Sequence, residues 1–99
     1  MVGTFVTFNY GNDFDRARVE SVAEHARQNF GGMPGLHSKV FTVDENNRRA
    51  INVYVWDSAE AAHAFFSEQM VERVTGLYGV RPVVDIVDIA AIVENAISV

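Results

Sequence analysis

The residues of this chain best equipped for chemistry near neutral pH gather in and just before VYVWDSAEAAHAFF, Val53 to Phe66. Asn52, Tyr54 and Trp56 alternate along an extended segment and therefore share one side of it. Each brings a polar tip on a flat or amide body, suited to an oxygenated, planar ligand. His63 follows within two helical turns, and an imidazole ordinarily titrates close enough to pH 7 to act as a base or proton shuttle. At 100° per residue it falls within roughly 60° of Ala59, Phe66, Met70, Val74 and Leu77, with Glu68 and Glu72 opposite. This spacing predicts a buried His63 near Tyr54 and Trp56, with Phe66 and Met70 as walls. The alternative is a core histidine bonded to a backbone carbonyl, among aromatics that only fill space.

Asn29 falls at the edge of an apolar helical face and is a second candidate for the pocket. His37, beside a glycine-rich turn, is expected at its rim, and His25 in solvent. The three histidines share no i, i+4 spacing and no paired carboxylates accompany them, so no metal site is expected. Gly31-Gly32-Met33-Pro34-Gly35 does not follow a strand, which makes it a turn rather than a phosphate cradle, and no bound cofactor is expected. Ser58 suits a helix cap better than a nucleophile, and Asp85 and Asp88 differ in strand parity, so they cannot act as a pair.

Composition narrows the classes. At 99 residues and 48% hydrophobic content the chain is one globular domain. Its formal charge is −5, and seven arginines and one lysine, Lys39, are scattered among acids. No basic stripe exists for phosphates, so neither nucleic acid nor an acidic membrane surface is an expected partner. Cysteine is absent, which excludes disulfides and thiolate catalysis. No run is long and apolar enough to span a bilayer, and MVGTFVTFNYG lacks the basic region of a signal peptide. A cytoplasmic protein is the expectation.

The elements that must position these residues follow from periodicity. Val2–Tyr10 alternates as a strand, and Asp13 is placed to cap a helix running to about Phe30. On that helix Val19, Val22, Ala23, Ala26 and Phe30 share a face. Leu36–Val43 and Ala50–Trp56 read as strands around a loop at residues 44–47. Asp57 or Ser58 caps one continuous second helix ending near Gly76 or Gly79, and Pro82–Ile89 is a fourth strand. The tail from Ile89 to Ile97 fits helix or strand equally. The order β-α-β-β-α-β predicts an α+β, ferredoxin-like split βαβ fold with a four-stranded antiparallel sheet. In that fold helices cover one sheet face only, yet Val53 and Val55 are as apolar as Tyr54 and Trp56 behind them. A homodimer packing two sheets face to face is the simplest cover.

With PGLHSKVF opening the second strand and VYVWDSAEAAHAFF closing the third, the chain resembles the dimeric α+β barrel superfamily. Within it, the chain is similar to the YdhR-like mono-oxygenases and the antibiotic biosynthesis monooxygenases. Pro34, Gly35, Leu36 and Lys39 match their second strand, and Tyr54 and Trp56 the end of their third. Trp56, Ser58 and Ala61 match the junction found in relatives that oxidise antibiotic precursors or degrade haem. The resemblance implies a cofactor-independent mono-oxygenase acting on a small aromatic or polyketide-like phenol. Such an enzyme needs a dry cavity, a base and donors to an oxyanion, since an ionised phenol can itself reduce dioxygen. A cyclase or isomerase would use the same pocket, and a non-catalytic ligand-binding or dimerisation module remains the alternative outside enzymology.

Overall fold

A computed structural model describes residues 1–95. Four strands, β1 (Val2–Asn9), β2 (Leu36–Asp44), β3 (Arg49–Trp56) and β4 (Val83–Asp88), form one sheet in the order β2-β3-β1-β4, every pair antiparallel. Three α-helices, α1 (Arg16–Ala26), α2 (Ala59–Phe65) and α3 (Glu68–Tyr78), lie on one face. The expected split βαβ order is therefore present, with the second helix in two pieces. The tail has no regular structure from Ile89 to Asn95, and Ile97 lies outside the described residues.

Pairing sets the faces. Val6 opposes Asn52 and Thr4 opposes Tyr54, so the buried residues Val2, Val6, Phe8, Tyr54 and Trp56 form the layer beneath the helices. Full burial of each large apolar side chain contributes about 1.5–3 kcal/mol, so this layer is a main source of stability. The opposite face carries Phe5, Val40, Val83 and Val87, each more than two-fifths exposed, and no helix among the described residues covers it.

Caps decide where the helices start. Asp15, not the expected Asp13, caps α1, its carboxylate accepting from the Arg18 N–H. Residues 11–13 are instead a single 3₁₀ turn. Past Ala26 the helix tightens into a 3₁₀ turn, Arg27–Phe30, which carries Asn29 and Phe30 over the sheet. Ser58 caps α2 as expected, accepting from the Ala61 N–H. At Phe66 the backbone leaves helical geometry, and the Ser67 hydroxyl accepts from the Met70 N–H to begin α3. An internal Ser N-cap offers the backbone an alternative to continuing, and here it prevails.

Gly35 ties β2 to α2. Its φ is +81°, and an added Cβ would stand 2.9 Å from the Ala61 Cβ. Its carbonyl also accepts from the Asp57 N–H at 2.9 Å. Only glycine allows so close an approach in that conformation.

Candidate functional site

A cavity of about 410 Å³ opens between the helices and the sheet. Its floor is Lys39 of β2 with Asn52 and Tyr54 of β3, and its walls include Phe30, Phe65 and Met70. Asn29, Met33, Arg73 and Tyr78 also line it. The walls are mainly apolar with a few convergent polar groups, the usual make-up of a small-molecule site.

The polar floor begins with a buried pair. Asn52 Nδ2 donates to Tyr78 Oη at 3.1 Å, and both residues are at most 5% exposed. Tyr78 in turn stacks on Phe8, ring centroids 3.9 Å apart and nearly parallel. Burial raises the Tyr78 phenol above its ordinary range, and the Asn52 bond opposes that rise. Tyr54 is raised as well, first by burial and then by proximity to Tyr78. Both phenols are therefore neutral O–H groups at pH 7, fit to donate rather than to accept a proton.

Lys39 is the cavity's amine. Its Nζ stands 3.4 Å from the Phe30 ring centroid, 4.2 Å from that of Phe41 and 4.3 Å from that of Tyr54. Desolvation pushes its pKa down to about 7. The ring faces favour the ammonium form and so oppose part of that fall. No carboxylate pairs with it among the described residues. Its position depends on a β-bulge. Leu36 pairs with Trp56 and Ser38 with Val55, so His37 is the extra residue. After it Lys39 opposes Tyr54 and faces the helices, whereas an unbroken strand counted from Leu36 would turn Lys39 to the other side.

Several expected residues stand elsewhere. His63 is exposed and does not line the cavity, which corrects the buried position expected for it. The reason is the break at Phe66 and Ser67, which resets helical phase, so counting back from Met70 or Val74 places His63 wrongly. On α2 the residues turned inward are Ala61, Ala62 and Phe65, with Phe66 beyond its end. Phe66, expected as a wall, packs edge-on against Tyr54 at 5.1 Å, and Phe65 supplies the wall instead. Trp56, expected to orient a ligand, is core: 1% exposed, stacked on Tyr54 at 5.6 Å and absent from the cavity lining. Its Nε1 has no hydrogen-bond partner among the described residues. His37 lies on the rim of a separate open groove between α1 and β2, where its Nε2 meets the Glu94 carboxylate. Asn29, Asn52, Tyr54 and Met70 do line the cavity.

Sequence reasoning missed Tyr78 and Lys39 as site residues. Tyr78 had a usable signal, a hydroxylated aromatic one turn beyond Val74 on the apolar face of α3. Lys39 had a fainter one, the chain's single lysine placed two residues from Phe41 in a strand. Among the described residues no three histidines, aspartates or glutamates cluster as metal ligands, and no helix is long and apolar enough to cross a membrane.

Known structures share this architecture. A putative antibiotic biosynthesis monooxygenase from Deinococcus radiodurans matches with a TM-score of 0.69 at 13% identity, over 97% of this chain and 99% of that one. The ActVA-Orf6 monooxygenase of Streptomyces coelicolor, in complex with nanaomycin D, matches at 0.68 and 17% identity, over 96% and 92%. A point mutant of SnoaB, a cofactor-independent oxygenase from Streptomyces nogalater, matches at 0.67 and 15% identity, over 95% and 97%. At such identities the likeness establishes the fold. No curated protein matches by sequence. The profile of one family, described as "Putative mono-oxygenase ydhR", matches residues 4–91. That span runs from β1 through β4 and contains every residue of the cavity, so the chain belongs to the YdhR mono-oxygenase family.

Proposed function

We propose that the protein is a cofactor-independent mono-oxygenase acting on a small, flat, phenolic aromatic bound between sheet and helices. The observation that carries this reading is the cavity itself: about 410 Å³, walled by Phe30, Phe65 and Met70, with Asn52, Tyr54 and Tyr78 supplying polar atoms. That volume suits two or three fused rings, and the polar groups suit their oxygens. Nanaomycin D bound to the ActVA-Orf6 monooxygenase, and the cofactor-independent chemistry of SnoaB, are precedents on this fold.

The chemistry draws its electrons from the substrate. In an anthrone, ionisation makes the ring system electron-rich enough to reduce dioxygen. A C–O bond forms at the methylene carbon, its two hydrogens leave with one oxygen as water, and a ketone remains. The protein's part is to orient the ring, exclude water and offer the Asn52 amide and the Tyr54 hydroxyl to the developing oxyanion. Two copies pack through the bare sheet face, which the apolar side chains of Phe5, Val40, Val83 and Val87 support.

The test is dioxygen uptake with 1,8-dihydroxyanthrone and related hydroxyaromatics, measured above the spontaneous rate. One dioxygen consumed per anthrone supports the oxygenase. Turnover of a related substrate without uptake favours a cyclase or isomerase, and saturable binding without turnover a ligand-binding module.

A further inference from the structure

The one amine of the cavity has no assigned task. Lys39 is the only lysine among 99 residues, yet it is held partly buried where water solvates it poorly. A structural lysine in such a place would be expected to reach a carboxylate or extend its head to solvent. Instead three aromatic rings from three segments surround Nζ: Phe30 of the 3₁₀ turn, Phe41 of β2 and Tyr54 of β3. A β-bulge turns the side chain inward, and bulges often re-aim a side chain beside a site. Lys39 also lines the more open groove of about 810 Å³ between α1 and β2, as well as the cavity. The Lys39 side chain thus borders both spaces.

We propose that the Lys39 amine is the general base of this site, taking the hydroxyl proton of a phenolic substrate bound in the cavity. The phenol O–H bond breaks, its electron pair stays on oxygen, and the proton forms the third N–H bond of an ammonium. The ammonium then stands beside the phenolate, stabilised by its charge and by the ring faces around it. The groove gives the proton a way out to water, which returns the amine for another cycle. The lowered pKa of Lys39 agrees with this role, because a base works best when its pKa lies near the working pH. The other titratable groups about the amine are ill suited. Tyr54 and Tyr78 are raised phenols, and Arg73 is a permanent cation at the cavity wall. On the groove side, Glu24 pairs with Arg27, Glu20 with Arg16 and His37 with Glu94. This assignment rests on the proposed binding of a phenol in the cavity.

Because the chain has one lysine, ¹⁵N-lysine labelling yields a single side-chain signal, and Lys39 can be titrated in the unaltered protein. The probe is alizarin, a flat dihydroxyanthraquinone whose colour reports its ionisation. The expected result is a Lys39 midpoint near 7 in the free protein, rising when alizarin is added. Bound alizarin should ionise about one pH unit below free alizarin, a tenfold change in its ionised-to-neutral ratio, and Lys39→Met should abolish that shift. A Lys39 midpoint at the ordinary lysine value overturns the proposal without any variant being needed. Equal ionisation of the dye bound to wild type and to Lys39→Met also overturns it, while leaving the phenol-binding cavity intact. Failure of wild type to bind alizarin or any other hydroxyaromatic overturns both.

Discussion

Lys39 Nζ lies 3.4 Å from the centre of the Phe30 ring, although the two residues come from different elements, β2 and the 3₁₀ turn after α1. That contact brings an amine into the aromatic layer with no carboxylate paired to it among the described residues. In the unfolded chain the amine holds its proton up to about 10.5, and in the fold only up to about 7. Between those values the unfolded chain binds more protons than the native protein, so this group makes stability rise with pH. Wild type should therefore gain melting temperature relative to Lys39→Met as pH climbs from 7 towards 10, where the tyrosines titrate alike in both. A constant difference across that window would mean that Lys39 keeps its proton in the fold.

The Asn52–Tyr78 bond gives a second prediction. Tyr78→Phe removes the acceptor and leaves Asn52 Nδ2 without its partner in a site only 3% exposed. Stability should fall by about 1–3 kcal/mol in urea denaturation, because an unpaired buried donor retains its desolvation cost. Adding Asn52→Leu should cost less in the Tyr78→Phe background than alone. The coupling between neighbours of this kind is about 0.5–3 kcal/mol. Strict additivity would show that the bond contributes nothing.

His63 should be nearly silent. It is exposed on α2 and away from the cavity, so His63→Ala should change stability by no more than about 0.5 kcal/mol. Aromatic ligand affinity and any dioxygen uptake should stay at wild-type levels. A loss of either would return the imidazole to the site.

Much of the architecture was legible because it rests on periods that the chain keeps. Alternation in Arg49–Trp56 is unbroken, so the buried parity of Asn52, Tyr54 and Trp56 could be read directly. The failures fall where a period is interrupted. One residue inserted at His37 reverses the facing of everything after it in β2, so plain alternation from Leu36 would put Lys39 on the wrong face. The Ser67 cap splits a run that counts as one helix, and this moved His63 to the surface. Periodicity could assign Trp56 to the buried face, but not decide whether a buried ring meets a cavity or another ring. Its stacking on Tyr54 settles that it is core.

The bare sheet face yields a fourth prediction. Phe5 is 41% exposed on the face away from the helices, opposite Asp85 in the register. If two copies cover that face, with on the order of 2,000 Å² buried, a charge there is costly. Phe5→Glu should convert a dimer to a monomer in sedimentation at micromolar concentration. A wild-type protein that sediments as a folded 11.0 kDa monomer would refute the dimer outright.

The claim on which the rest depends is that an aromatic ligand enters the space between helices and sheet. The chain's three methionines make it directly measurable. Met33 and Met70 line the cavity, whereas Met1 lies at the exposed start of the sheet. With ¹³C-methyl methionine labelling, alizarin should shift the Met33 and Met70 methyl signals strongly, by ring currents, and leave Met1 almost unmoved. Shifts confined to Met1, or saturable binding that moves neither Met33 nor Met70, would place the ligand elsewhere and contradict the account.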